Sequence, residues 1–193
     1  TRPGFPFPED FTATAHDPTR AEAVLANLRE SAAHDKDLQI PWDDDNVIRL
    51  LTAIFGNSPF LGRVAQADRR FLPELFIKGP ADNLDQILFG LKQNLELARD
   101  IDKAMAVLRQ ARLRAALLIA VADISGSWDL TIVTAALSRF AEIAISSAVR
   151  WLLRNAARRG DLDLPDTQHP ETGSGLVVLG MGKLGANELN YSS

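Results

Sequence analysis

Cysteine is absent from the sequence. No disulfide framework and no thiolate metal site can form, and the chain fits a cytoplasmic protein. Histidine is scarce. His16, His34 and His169 stand alone, without metal-ligand spacing and without a carboxylate at a helical offset, which leaves them as surface or capping residues. No Ser–His–Asp set can be read either, because such sets are defined by geometry. Neither sign of charge dominates: the net charge is −4 and the charged residues are well mixed. This argues against a general affinity for nucleic acid or acidic membranes. The longest unbroken apolar run, residues 115–122, is far short of the ~20 residues that span a bilayer. Residues 1–6 hold neither an initiating Met nor an apolar signal region, and the chain reads as clipped at both ends. Fixed-period repeats and low-complexity tracts are missing as well.

What is present is a chain of 193 residues, 46% of them hydrophobic, enough for one good core and the start of a second. Residues 1–16 read as irregular, and helices are expected through residues 17–159. Asp17-Pro18 is a cap followed by proline at the first helical position, with Val24, Leu25 and Leu28 at helical spacing, so a helix is expected over about 19–33. Asp43-Asp44-Asp45 precedes Val47, Leu50, Leu51, Ile54 and Phe55, with Gly56 as the expected stop. These aspartates suit the positive end of a helix. A calcium loop needs alternating carboxylates and a turn glycine, which they lack. Ser58-Pro59 starts a further helix to about 70, and Asp82 is expected to cap one carrying Leu84, Ile87, Leu88, Leu91 and Leu95. A long helix covers about 99–123, with Arg109, Arg112 and Arg114 on a solvated face or snorkelling beside leucines. Ser125-Gly126-Ser127 breaks it. Asp129 then opens the longest helix, to about 159, with a stripe of Leu130, Val133, Leu137, Phe140, Ala144, Ala148 and Leu152. Trp42, Trp128 and Trp151 read as packing residues. Residues 160–175, rich in Asp, Pro and Gly, form a linker or surface loop.

The last segment, 176–193, differs in kind. Leu176-Val177-Val178-Leu179 is a short apolar β-forming run that opens into Gly180-Met181-Gly182-Lys183-Leu184-Gly185. A strand feeding a glycine turn brings backbone N–H groups against a phosphate. The glycine spacing matches the dinucleotide fingerprint. However, only eight residues follow Gly185, and they are poor helix formers, whereas that fingerprint opens a helix inside a βαβ unit. A Walker loop fails because Leu184 follows Lys183 where Ser or Thr would hold Mg²⁺. Lys183 fits two readings, an exposed turn lysine or a charge offered to phosphate. Ser192 and Ser193 fit either turn or site.

The run from Val178 to Ser193 closely resembles a segment of the glutamine synthetase adenylyltransferase / adenylyl-removing enzymes. Gly56-Asn57-Ser58-Pro59-Phe60-Leu61, then residues 117–130 (Leu-Leu-Ile-Ala-Val-Ala-Asp-Ile-Ser-Gly-Ser-Trp-Asp-Leu), then Ala136-Leu137-Ser138-Arg139-Phe140-Ala141 resemble the same family in the same order. The resemblance covers roughly residues 50–193. It implies a mainly α chain: a helical leader followed by the first strand and glycine turn of an incomplete polymerase-β-type nucleotidyltransferase α+β domain. It implies the amino-terminal half, which removes AMP from glutamine synthetase by phosphorolysis. It also implies Mg²⁺ as cofactor, ATP or ADP and phosphate as substrates, and glutamine synthetase and the PII signal-transduction protein as partners. The implied nucleotide-binding residues are Gly180, Gly182, Lys183, Ser192 and Ser193. The family's metal-binding Asp-x-Asp is expected directly after the two serines, so this chain is expected to hold no catalytic or metal residue and to be inactive alone. Two departures stand out: Gly182-Lys183 where the wider superfamily often has Gly-Ser or Gly-Gly, and Ala186-Asn187 where close relatives usually have Gly-Arg. A helical protein-interaction module, docking glutamine synthetase or a PII-type regulator, is the alternative.

Overall fold

Eight α-helices and one 3₁₀ turn form among residues 6–8 and 11–191, which the computed structural model describes. The helices are α1 (Pro18–His34), α2 (Asp45–Asn57), α3 (Pro59–Ala67), α4 (Phe71–Lys78), α5 (Pro80–Leu97), α6 (Ile101–Ile124), α7 (Leu130–Arg158) and the single turn α8 (Gly182–Gly185). The mainly α expectation holds. The chain divides into two units, one of residues 1–85 and 113–133, the other of residues 86–112 and 134–193.

In the first unit the capping chemistry acts as the sequence predicts. Asp17 accepts from the Arg20 amide at 2.9 Å ahead of Pro18. Asp44 accepts from Asn46 and Val47 at 2.9 and 3.2 Å, and Ser58 accepts from Leu61 at 3.2 Å ahead of Pro59. Each cap satisfies an amide that the first helical turn cannot pair internally. α1 packs on α2 and α3. The core is built from Leu50, Leu51, Ile54, Phe55, Leu72, Leu75 and Phe76 with Leu117, Leu118 and Ile119 of α6.

Three boundaries differ from the sequence reading, each for a local reason. Gly56 does not stop α2, which continues to Asn57. Its missing side chain serves packing instead, since a Cβ there would lie 2.4 Å from the Ala15 Cβ. α4 is not foreseen because it is only eight residues long and carries Pro73; it buries Phe71, Leu72, Leu75 and Phe76 on one face and exposes Glu74, Ile77 and Lys78 on the other. Pro73 is tolerated in its first turn, where no N–H is needed, and Gly79 at φ 77° ends it. α5 accordingly starts at Pro80, and Asp82 lies inside its first turn instead of capping it. Asn83, 1% exposed, points its amide back at the end of α4 and donates to the carbonyls of Glu74, Leu75 and Gly79. The three arginines of α6 divide. Arg109 and Arg112 are exposed, whereas Arg114 makes a two-pronged bridge to Asp68 at 2.6 and 3.1 Å and lies over the Phe71 ring.

In the second unit Leu95 of α5, Ala98 and Ala104 bury against Trp151 of α7, with Val107 and Leu108 packed beside them. The Trp151 indole donates to the Ala98 carbonyl at 2.9 Å. The α7 stripe is displaced from the expected register. Trp151 and Leu153 are buried, while Leu152 is 52% exposed. α7 is also the one helix among the described residues long and apolar enough to cross a membrane by length and composition, with only 17% of its apolar window buried. Arg139 and Glu142 interrupt the apolar run, which is why run length misses it.

The strand expected at residues 176–179 is not formed. These residues carry neither helix nor strand, and no β-strand exists among the described residues. A strand needs a neighbour to accept its ladder hydrogen bonds, and without one Leu176, Val177, Val178 and Leu179 stand 51–78% exposed. Where a glycine turn is expected, α8 winds a single helical turn.

Replacing Asn83 with Ala strands buried carbonyls at the end of α4, and we expect a loss of about 2 kcal/mol. The check is the denaturant midpoint of the variant against the parent chain, with Asn83→Asp retaining part of the effect's geometry but not the donors.

Candidate functional site

The candidate site is the chain from residue 160 to 191, folded back along α7 within the second unit. Two arginines one helical turn apart hold it there. Arg150 forms a two-pronged ion pair with Glu171. Arg154 donates to the carbonyls of Thr167 at 3.1 Å and Gln168 at 2.8 Å, and also faces Glu96 at 3.5 Å. Within the loop, Asp166 accepts from the amides of Gln168 and His169 at 2.7 and 3.1 Å. Those two amides hold the Asp166 carboxyl below the ordinary aspartate range, and the Arg150 guanidinium does the same for Glu171. Residues 160–175 carry turns and bends without regular structure and are tied down by α7. A second tie comes from Ser138. Its buried hydroxyl donates to Thr134 at 2.8 Å and accepts from the Leu189 amide at 3.0 Å.

The spacing of the glycines has a structural cause. Gly182 begins α8 at φ 56°. Gly185 approaches Gly180 so closely that a Cβ on Gly185 would lie 2.5 Å from the Gly180 carbonyl oxygen. α8 then closes with a left-handed residue, Asn187 at φ 58°. The Glu188 amide donates to Lys183 at 2.8 Å and the Asn187 amide to Leu184 at 3.2 Å. This is the Schellman pattern, and asparagine is the residue after glycine best suited to its left-handed position. The departure at Asn187 therefore has a backbone role.

Beside the turn lies a cavity of about 520 Å³ lined by Glu142, Ile145, Ser146 and Val149 of α7, by Glu171, and by Leu176, Val178, Gly180, Leu184, Gly185 and Asn187. Gly180 lines it. Gly182 and Lys183 are exposed and do not. Ser192 and Ser193 lie outside the described residues. The cavity's charges are the carboxylates of Glu142 and Glu171, so the described residues bring together the glycine backbone but assemble no cationic phosphate cradle there. Nor do they fit a Mg²⁺ site: no cluster of three or more His, Asp or Glu among them is placed to hold a metal, and Glu171 is engaged by Arg150. Arg150, Arg154, Glu171 and Ser138 were missed by sequence reasoning. The first two share a spacing of four on α7, a readable signal. Glu171 and Ser138 have none, because their partners lie 21 and 51 residues away.

A family model described as glutamate-ammonia ligase adenylyltransferase matches residues 48–193. The chain belongs to this family. A bifunctional glutamine synthetase adenylyltransferase/adenylyl-removing enzyme from Bradyrhizobium sp. (strain BTAi1) is 42% identical over 144 residues, 75% of this chain and 15% of that protein. One of the same description from Bradyrhizobium diazoefficiens is 37% identical over 183 residues, 94% of this chain and 18% of that protein. Another, from Mesorhizobium japonicum, is 39% identical over 145 residues. The chain thus spans less than a fifth of the length of these relatives. No solved structure matches it. The glutamate-ammonia ligase adenylyltransferase match, residues 48–193, includes the glycine turn and its Schellman close.

Two outcomes follow. Gly185→Ala must open the turn, and we expect the Glu188 amide to lose its slow hydrogen exchange while the α1–α4 amides keep theirs. Acidification should act on the loop. The Glu171 carboxyl titrates below its unfolded value, so its contribution is fully present above the ordinary glutamate range and is lost as pH falls through the lowered value. The pair is half-exposed, so the effect is modest. The Arg150 Nε–H resonance followed by NMR from pH 7 downward should move below the usual glutamate range, and Glu171→Gln should abolish that transition while leaving the one that Asp166 imposes on the Gln168 and His169 amides.

Proposed function

We propose that this chain is part of an enzyme that attaches AMP to glutamine synthetase and removes it, and that it comes from the AMP-removing, amino-terminal half. In this reading residues 17–159 are a helical leader behind an irregular segment 1–16, residues 160–175 connect it, and residues 176–193 begin a polymerase-β-type nucleotidyltransferase domain. The observation that carries the proposal is the glycine turn at residues 180–185, lying inside the family match and built with its backbone folded tightly on itself. Gly180, Gly182, Lys183, Ser192 and Ser193 would meet the nucleotide phosphates, and Leu176–Leu179 would pair as a strand once a sheet neighbour is present. The chemistry is phosphorolysis, in which inorganic phosphate takes the AMP and leaves as ADP while the target tyrosine regains its hydroxyl. Charge builds at the reacting phosphorus, and its stabilisation needs metal ions that neutralise it. We assign Mg²⁺ ligation to an Asp-x-Asp beyond these residues. The setting is cytoplasmic, and a PII-type protein is the proposed regulator.

A second reading, a docking module for glutamine synthetase or a PII-type regulator, is favoured by the apolar side chains that α7 leaves in solvent, Ile145 at 37% and Leu152 at 52% exposure. The two readings are compatible in one protein.

The test is direct. Incubated with adenylylated glutamine synthetase, phosphate and Mg²⁺, the 193-residue chain should release no ADP, whereas a longer version that includes the proposed carboxylates should. In that longer version Lys183→Ala is expected to weaken ADP binding about tenfold, the value of one lost charge-assisted contact. ADP release by the 193-residue chain, or equal ADP affinity with and without Lys183, would contradict the assignment.

A further inference from the structure

A second cavity in the same unit, of about 550 Å³, has the opposite electrostatics from the one beside the glycine turn. Its cations are Lys92 of α5 and Arg150, Arg154 and Arg158 of α7, and its one lining carboxylate is Glu96. The arginines recur every four residues, so they stand one above another on one helix face. Two of them are committed: Arg154 faces Glu96, and Arg150 holds Glu171 from outside the lining. Lys92 and Arg158 form no ion pair among the described residues, and both are exposed. Against these four cations stand Glu96, Glu171 and Asp166, the last facing Arg154, so the concavity stays net positive on a chain whose net charge is −4, with Lys92 and Arg158 the two cations left without a carboxylate. Leu95, Trp151, Ala157 and Leu164 give the cavity an apolar wall, and Ser146, Ser147 and Thr167 bring polar groups to it.

We propose that this cavity binds a phosphate monoester dianion carrying a small apolar group. Lys92 and Arg158, the two cations without a carboxylate, are the ones that meet its charge. Guanidinium groups fit phosphate oxygens with paired N–H donors. The volume lies within the usual range for small-molecule sites, and a few polar groups on an apolar wall is the usual make-up of such sites. The site is separate from the glycine turn: only Ser146 lines both cavities. The proposal therefore does not rest on the nucleotidyltransferase reading.

The probe is phenyl phosphate, titrated into the 193-residue chain at low salt by calorimetry, with phenyl sulfate, a monoanion of nearly the same shape, as comparison. Saturable binding of phenyl phosphate is expected, about tenfold tighter than phenyl sulfate. Lys92→Gln with Arg158→Gln should weaken it at least tenfold with the helical circular dichroism unchanged. Arg158→Glu alone should act in the same direction, and Lys183→Ala should have no effect. Arg150 and Arg154 are left intact because they hold residues 167–171. No saturable binding, equal affinity for the two anions, or equal affinity in the double variant would overturn the proposal. So would loss of binding in Lys183→Ala, which would place the anion on the glycine turn and leave the function proposed above standing.

Discussion

The second unit depends on the seating of Trp151. Its indole fills the space beside Leu95, Ala98 and Ala104 while its N–H meets the Ala98 carbonyl at the end of α5. An indole buries ~150–250 Å² of largely apolar surface, and truncating a buried tryptophan costs about 3–5 kcal/mol. The hydrogen bond adds direction to that burial: it fixes how α7 is rotated against the α5–α6 turn. Once the rotation is set, Arg150 and Arg154, which flank Trp151 in sequence, point where the returning chain can use them.

That geometry explains why a loop with few apolar residues is held at all. Residues 160–175 bury little, Pro170 being the one buried position among them, so hydrophobic burial cannot order them. The two arginines act instead, one through a carboxylate and one through main-chain carbonyls. Arginine suits this because its planar fork serves two acceptors at once. The glycine turn is then presented through Glu171 and through the Ser138–Leu189 hydrogen bond, with α7 as the common support. The loop, the turn and both cavities are consequences of one helix face.

Legibility from sequence followed the range of the interaction. Caps were legible at Asp17, Asp44 and Ser58 because donor and acceptor lie within three residues of one another. Gly56 was misread for the opposite reason: its cause, contact with Ala15, is 41 positions away. α4 was hidden because it is only eight residues long and holds Pro73, so its buried face of Phe71, Leu72, Leu75 and Phe76 spans barely two turns. The glycine motif was conspicuous, yet its spacing alone suited several phosphate loops. The resemblance narrowed the choice, and the coordinates supplied a steric reason for Gly185 and a conformational one for Asn187. The strand read at Leu176–Leu179 is not formed, although the composition there favours one. Its formation depends on a pairing partner, and composition does not specify one.

The same dependence bears on how the two cavities differ. The one beside the glycine turn is lined by carboxylates and backbone, while the one on the other flank of Arg150 is lined by cations. Glu171 belongs to the first and its partner Arg150 to the second. The ion pair between them is therefore shared: whatever draws Arg150 toward an anion weakens its hold on Glu171 and on the loop that leads into the turn. Because the pair is half-exposed, its strength is modest. The glycine turn is therefore held by this modest ion pair together with the Ser138–Leu189 hydrogen bond.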